Sequence, residues 1–308
     1  MPFFSSYSTI YGNTAKNALF KGPWFTNIAN VILTSDPMNV HHITSKNFTN
    51  YGKGSDFHEI FELLGVGIFN LDSNEWKHER TLLHSLLKNK IFEIFLQQII
   101  QNKLQNCLLP FLDQASKGVQ VLGLQYILER FTFDTTCTSL FGFDPKCLPY
   151  NFNHLSEIAY VKAISVLEDM ILFIQALYSK SHSCLLKDLM KEGSEKGENF
   201  TRYIQDTAVN LLIEGNGTIS SGLSWFFWLV SIHPIVEAKI IEEIRDNCLT
   251  QGENLITNFS VEVLDKLVYL HRAISEALRL FPPLAFHTNV QSNRINFIVE
   301  TMLSQIQS

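Results

Sequence analysis

The stretch Thr201–Ile232 constrains this chain most. It is helical in pattern, apolar nearly all round toward its end (Trp225, Phe226, Phe227, Trp228, Leu229, Val230), and closed by His233-Pro234. A helix without a polar face is covered by its neighbours, so it is expected to run through the core. Other helices are available to cover it. From Ser73 onward, Trp76, Arg80 and Leu83 share a face at i, i+4 and i+7, and Ile91–Leu112 continues at three and four spacing. Val119–Phe141 follows and stops at Gly142-Phe143-Asp144-Pro145, because proline disfavours helix in the residue before it. Pro234 opens the next helix, which reaches Cys248 with Glu237, Lys239, Glu242, Glu243 and Arg245 on its outer face. A last helix spans about Val261 to Phe281 and halts at Pro282-Pro283. Within it, Leu267, Leu270, Ile274, Leu278 and Phe281 share one face, leaving Glu276 and Arg279 opposite, where periodicity alone makes them a solvated salt bridge.

The N-terminal part has a different rhythm. Short apolar runs such as Val31-Ile32-Leu33-Thr34 are punctuated by Gly, Pro and Asn, which fits strands or loops. Ser35-Asp36-Pro37 supplies an N-cap acceptor and then proline at the first helical position, predicting a short helix from Pro37. Lys180–Gly197, rich in Lys, Glu, Ser and Gly, reads as a solvated turn between helices. With 308 residues, 46% of them hydrophobic and 24 of them Phe, the chain has enough apolar mass for one large domain or two ordinary ones. The formal net charge of -6 carries no basic footprint, so nucleic acid is not an expected partner. Cysteines at 107, 137, 147, 184 and 248 form no C-x-x-C pair or zinc-ligand spacing and read as reduced intracellular thiols. No run approaches the roughly 18 to 20 apolar residues of a membrane span, and no signal peptide or transmembrane segment is visible.

Three separated signatures occur in order: Trp76-Lys77-His78-Glu79-Arg80, then Glu214-Gly215-Asn216-Gly217-Thr218, then Glu276-Ala277-Leu278-Arg279 followed by Leu280-Phe281-Pro282-Pro283. Together with the text around them, GLSWFFWLVSIHP and LDKLVYLHRAISEALRLFPPL, they resemble a cytochrome P-450. The wording is most similar to the plant alkane and fatty-acid hydroxylase branch, near the mid-chain alkane hydroxylases of wax synthesis. The resemblance covers roughly Phe20 to Leu284. It implies a mainly α, incomplete cytochrome P-450 fold with a small N-terminal β region. The partial domain occupies residues 1–284 and a divergent tail 285–308, the latter fitting a short amphipathic helix.

The resemblance also implies chemistry. The family's cofactor is haem, its partner an NADPH-dependent reductase, its substrate in this branch a long aliphatic chain, and its reaction the insertion of one oxygen atom into a C–H bond. Trp76 and Arg80 take the role of an indole N–H and a guanidinium given to a haem propionate. Glu276 and Arg279 take that of a buried pair locking the core behind the haem. On the long helix, Gly215 matches the small residue that opens a groove over the haem, and Thr218 the threonine that helps deliver protons to oxygen. The acid expected before that threonine is replaced by Gly217, which can neither orient water nor relay a proton. Glu214 stands where some fatty-acid hydroxylases of the wider family carry a glutamate ester-linked to a haem methyl.

The sequence departs from the family in other ways. The axial ligand is a cysteine downstream of the E-x-x-R pair, and no cysteine follows Cys248 in these 308 residues, which leaves no metal ligand to assign. His287 is the only histidine after Arg279 and reads as a surface residue. The family's membrane anchor, which places it at the endoplasmic reticulum, is not seen before Met1. The interval from Pro145 to Gly217 is short, suggesting loss from the helices that roof the substrate pocket, with Ile158–Tyr178 as a remnant. The expectation is an inactive monooxygenase fragment. The alternative is a non-catalytic helical protein that binds an apolar ligand or partner.

Overall fold

The computed structural model describes residues 17–20, 31–34, 36–117, 122–148, 200–248, 261–284, 286–291 and 295–300. The expected turn at Lys180–Gly197 and the expected remnant Ile158–Tyr178 lie outside them. In chain order the strands are β1 (Asn17–Phe20), β2 (Val31–Thr34), β3 (Tyr51–Gly52), β4 (Phe286–Gln291) and β5 (Ile295–Glu300). The α-helices are α1 (Pro37–His41), α2 (Ser55–Ile60), α3 (Ser73–Leu87), α4 (Lys90–Lys103), α5 (Leu109–Lys117), α6 (Leu124–Phe141), α7 (Phe200–Ser231), α8 (Pro234–Cys248), α9 (Val261–Leu264) and α10 (Val268–Leu280). The chain divides into two compact units, 58–220 and 1–57 with 221–308, and α7 is continuous through the boundary.

In the 58–220 unit the core is built where α3, α4, α6 and α7 bring together Leu83, Leu86, Phe92, Phe133, Leu140, Phe141, Ile204 and Leu212. A second cluster around Phe111, Ile127 and Leu148 supports α5 and the start of α6. The expected helix Ile91–Leu112 forms, but a π-turn at Leu104–Leu108 interrupts it. Pro110 explains the interruption: it has no N–H, and its ring would strike the carbonyl four residues back in a regular α-helix. α6 ends at Gly142, whose φ of 70° is the left-handed conformation that glycine adopts at little cost. Asp134 then holds the chain beyond it, accepting from the Cys147 and Leu148 amides at 2.8 and 3.0 Å, while Arg130 donates to the Cys147 carbonyl at 2.8 Å.

In the other unit the sheet runs β1-β2-β5-β4-β3. β1 and β2 are antiparallel, with Asn17 opposite Thr34, and β2 pairs with β5 in parallel, with Val31 opposite Asn296. β4 is antiparallel to both β5 and β3. The tail is therefore strand at 286–291 and 295–300, in place of the short helix its sequence suggested. Ile295, Ile298 and Val299 can be read at helical spacing, but the β-branched run completes a sheet begun near the N-terminus. α1 starts as expected, with Asp36 accepting from the Met38 amide at 2.9 Å and Pro37 at the first position.

The last helix breaks at 265–267, giving α9 and α10 in place of one helix over Val261–Phe281. Leu267 leaves helical geometry with ψ 65° and buries its side chain. Glu243 of α8 then caps the new N-terminus, accepting from the Tyr269 and Leu270 amides at 2.7 and 2.9 Å. Glu243 thus has a structural bond rather than a place on a solvated outer face. α10 packs on α7 and α8 through Ala273 and Ala277 against Phe226, Leu229, Val236 and Ile240. The long helix is not covered all round: Trp225, Phe227 and Trp228 are 39%, 46% and 41% exposed, while Phe226 and Leu229 between them are buried. Among the described residues no single helix is long and apolar enough to cross a membrane.

Candidate functional site

The site in the 58–220 unit is built by α3, α6 and α7, and a loop sets the position of α3. Residues 61–70 lie along α7 because Asp206 accepts from the Val66 amide at 2.9 Å and Asn210 both accepts from the Phe69 amide at 3.0 Å and donates to the Leu64 carbonyl at 2.9 Å. Gly65 and Gly67 permit this close approach. A Cβ on Gly65 would lie 2.1 Å from the Asp206 carboxylate, and one on Gly67 2.0 Å from the Asn210 amide; Gly65 also has φ +53°. His58, bonded to Asn70 and Asp72 at 3.1 Å each, ties the loop to the start of α3.

On α3, Glu79 points inward. It is 2% exposed and receives the Tyr203 hydroxyl of α7 at 2.8 and 2.9 Å. Burial first, then the neighbouring Glu79, raises the Tyr203 phenol well above its usual range, so it remains a donor. This contact was missed in the sequence, although Glu79 shares a helical face with the apolar Leu83 and Leu86. Trp76 is half-buried and Arg80 exposed, and the Arg80 guanidinium lies 5.2 Å from the Trp76 ring centroid, a cation–π contact.

The α7 residues face different ways. Gly215 is pressed against α6: an added Cβ would meet the Thr136 methyl at 2.9 Å, and the Thr136 hydroxyl donates to the Gly215 carbonyl at 3.2 Å. Thr132 secures the next residue, donating to the Asn216 side-chain oxygen at 2.8 Å. Gly217 is exposed, with nothing within 4 Å of where a Cβ would stand. The Thr218 hydroxyl donates back to the Glu214 carbonyl, the local alternative that helix threonines commonly adopt. Glu214 reaches solvent, yet enough protein surrounds its carboxyl that desolvation raises its pKa, an effect opposed by the positive charge of Arg80. Trp76 and Arg80 are thus brought together, while Gly215 is occupied by helix packing.

Glu276 and Arg279 belong to the other unit. Their bond is two-pronged, with Nε at 2.7 Å from one carboxylate oxygen and Nη2 at 2.8 Å from the other. The side chains are 16% and 35% exposed, between the solvated pair that periodicity suggests and the fully buried pair of the resemblance. The hydrogen bond to Glu276 raises the Arg279 pKa more than burial lowers it.

A scan against family models matches residues 146–296 to Cytochrome P450. The alkane hydroxylase MAH1 of Arabidopsis thaliana is 31% identical over 318 residues, covering 87% of this chain and 61% of that protein. Cytochrome P450 86B1 of the same plant is 31% identical over 338 residues, covering 93% and 60%. By these matches the chain is similar to the cytochrome P450 family. It spans about 60% of the length of these curated relatives. The fold agrees: a cytochrome P450 (CYP102L1) superimposes with a TM-score of 0.71 at 13% identity over 98% of this chain and 78% of that one. The retinoic acid-bound cyanobacterial CYP120A1 gives 0.69 at 19% identity, covering 98% and 71%. The family match continues past Leu284 through β4 to the first two residues of β5.

The P450 family implies haem, and the described residues meet its needs at one end only. An exposed guanidinium braced on an indole suits a carboxylate. The iron end asks for one axial thiolate, and among the described residues none is established. Cys107, Cys137 and Cys147 are buried cysteines. Burial, with Asp134 adding to it, pushes the Cys147 thiol up to about 12 and the Cys137 thiol higher still, so neither offers a thiolate.

Proposed function

We propose that this chain carries the helical scaffold of a P450 monooxygenase acting on long alkanes or fatty acids, and that these 308 residues by themselves are catalytically silent. The observation that carries the second half is the α7 arrangement: Gly217 faces open space where a carboxylate is expected, and the Thr218 hydroxyl is turned back to its own helix. Bound haem would supply oxygen activation, with two electrons from a reductase. This chain's own contribution would be to receive a propionate at Trp76 and Arg80 and to maintain the architecture through Glu276 and Arg279. Proton delivery is the function these residues lack, since a glycine carries no titratable group. The aliphatic substrate class is supported by the likeness to alkane hydroxylase MAH1.

The test is the reduced, carbon-monoxide difference spectrum of the purified chain after haem is supplied. The expected result is no red-shifted Soret band. Its appearance would overturn the silent reading, because it reports thiolate ligation directly.

A second reading, binding of an apolar ligand without redox chemistry, is favoured by the solvent-facing aromatic group of the 221–308 unit. Trp225 stacks on Phe281 at 4.1 Å, and Trp228 meets both rings edge-on at 5.4 and 6.0 Å. Saturable fatty-acid binding without haem, read by tryptophan fluorescence, would support it, and its absence would remove it.

A further inference from the structure

Glu79 is a costly residue to place in an apolar core. On α3 it forms the buried face with Leu83 and Leu86 at i, i+4 and i+7, and it is 2% exposed. An apolar side chain of similar size would pack there without the loss of hydration that a carboxylate suffers. The pairing with Tyr203 offsets that cost, and its geometry is specific: the hydroxyl lies 2.8 and 2.9 Å from the two carboxylate oxygens, an almost symmetrical approach. Burial, then the charge of Glu79, keeps the phenol in its donating form. A buried polar pair of this kind contributes register more than stability, because the bond has one correct partner whereas Leu83 and Leu86 tolerate small rotations.

What the register controls follows from the helix. Each residue turns the chain by about 100°, so Arg80 stands about 100° around the axis from Glu79, and Trp76 lies nearly one turn before it. Trp76 is half-buried, Arg80 is exposed, and the guanidinium is braced 5.2 Å from the indole ring. Both stand beside the face that Glu79 turns inward. Tyr203 is itself held in place, since within two turns of it on α7 Asp206 and Asn210 bind the loop that leads into α3. We propose that Glu79 and Tyr203 are positioning residues for the carboxylate receptor at Trp76 and Arg80: their bond locks the rotation of α3 about its axis and so aims the guanidinium. This rests on the reading of Trp76 and Arg80 as a carboxylate receptor and names the buried pair that orients it.

The experiment uses the full chain and metal-free protoporphyrin IX, which presents two propionates and requires no axial ligand. Its dimethyl ester is the uncharged control, and binding is read by tryptophan fluorescence quenching. The unaltered chain should prefer the acid over the ester, and Arg80→Met should abolish that preference. Tyr203→Phe, which leaves the ring in place but takes this donor from Glu79, should lower the preference roughly fivefold with ester binding unchanged. Glu79→Gln, which keeps an acceptor for the hydroxyl, should retain it. Two further variants separate aim from stability. Tyr203→Phe combined with Glu79→Leu replaces both polar partners, so it should melt no lower than the unaltered chain and still lose the preference. Leu83→Ala empties the same face without touching the pair, so it should melt lower and keep the preference. If the double variant prefers the acid as the unaltered chain does, or if Leu83→Ala loses the preference as Tyr203→Phe does, the positioning role is overturned and the receptor stands. If Arg80→Met leaves the preference unchanged, the receptor reading falls and the positioning role with it. The indole N–H resonance of Trp76, identified by its loss in Trp76→Phe, supplies a readout that needs no porphyrin. It must move in the double variant, and an unmoved resonance overturns the proposal.

Discussion

The two ends of α7 are held by opposite means. In the 58–220 unit the helix is fastened by polar side chains: Asp206 and Asn210 bind backbone groups of a loop about 140 positions earlier, and Tyr203 binds the buried Glu79. In the 221–308 unit the same helix is held by Phe226 and Leu229 packing against Val236, Ile240, Ala273 and Ala277. A polar clasp fixes register, since each bond has one correct partner, whereas an apolar contact fixes proximity and tolerates small shifts. The end that fixes register also presses Gly215 against Thr136, and the end that relies on burial leaves two tryptophans in solvent.

This contrast can be broken from either side. The largest effect is expected at the apolar end: Leu229→Ala empties a fully buried site and should cost about 4 kcal/mol in chemical denaturation. A loss below about 1 kcal/mol would mean that burial is not what holds this end. At the polar end, Asn210→Ala strands half-buried backbone groups of the 61–70 loop and should cost about 2 kcal/mol. It should also speed hydrogen exchange at the Phe69 amide, and unchanged exchange there would remove the clasp.

Smaller changes sharpen the picture. Glu243→Ala removes the cap of α10 and should cost about 1 kcal/mol, with fraying of the Tyr269 and Leu270 amides seen by hydrogen exchange. Two glycines only two positions apart should respond with opposite sign. Gly217→Ala meets no atom and should stabilise by up to about 1 kcal/mol, while Gly215→Ala must displace Thr136 and should lower the melting temperature. Stabilisation by both would show that α6 and α7 are not in close contact at Gly215.

The smallest effect is a pH dependence at Glu214. Its folded pKa is raised, so its contribution to stability is fully present below the unfolded pKa and is lost as the pH rises through the folded one. Relative to Glu214→Gln, the unaltered chain should therefore lose melting temperature on going from acid to neutral pH, and a constant difference would contradict the raised pKa.

Much of the helical framework was legible because its signals are local. Asp36-Pro37 announced α1, Gly142 ended α6 and His233-Pro234 separated α7 from α8. The ordered signatures at Trp76, Glu214 and Glu276 were enough to point to the P450 family, which the alkane hydroxylase likeness supports. Glu243 was misread because its partners, the Tyr269 and Leu270 amides, are orphaned only once the helix breaks at Leu267. The tail was misread because Ile295–Glu300 fits two periods and its deciding partner, β2, lies more than 260 positions away.

The sequence alone determined what depends on neighbours along the chain: helix content, caps, stops, and the resemblance to the family. Tertiary structure decided what depends on distant partners. It turned the tail into strands, committed Gly215 to contact with Thr136, left Gly217 open, and set Tyr203 on Glu79. The physical reason is that backbone propensity and capping act over a few residues, whereas hydrogen-bond satisfaction, close packing and charge act through space between segments whose separation in sequence carries no local trace.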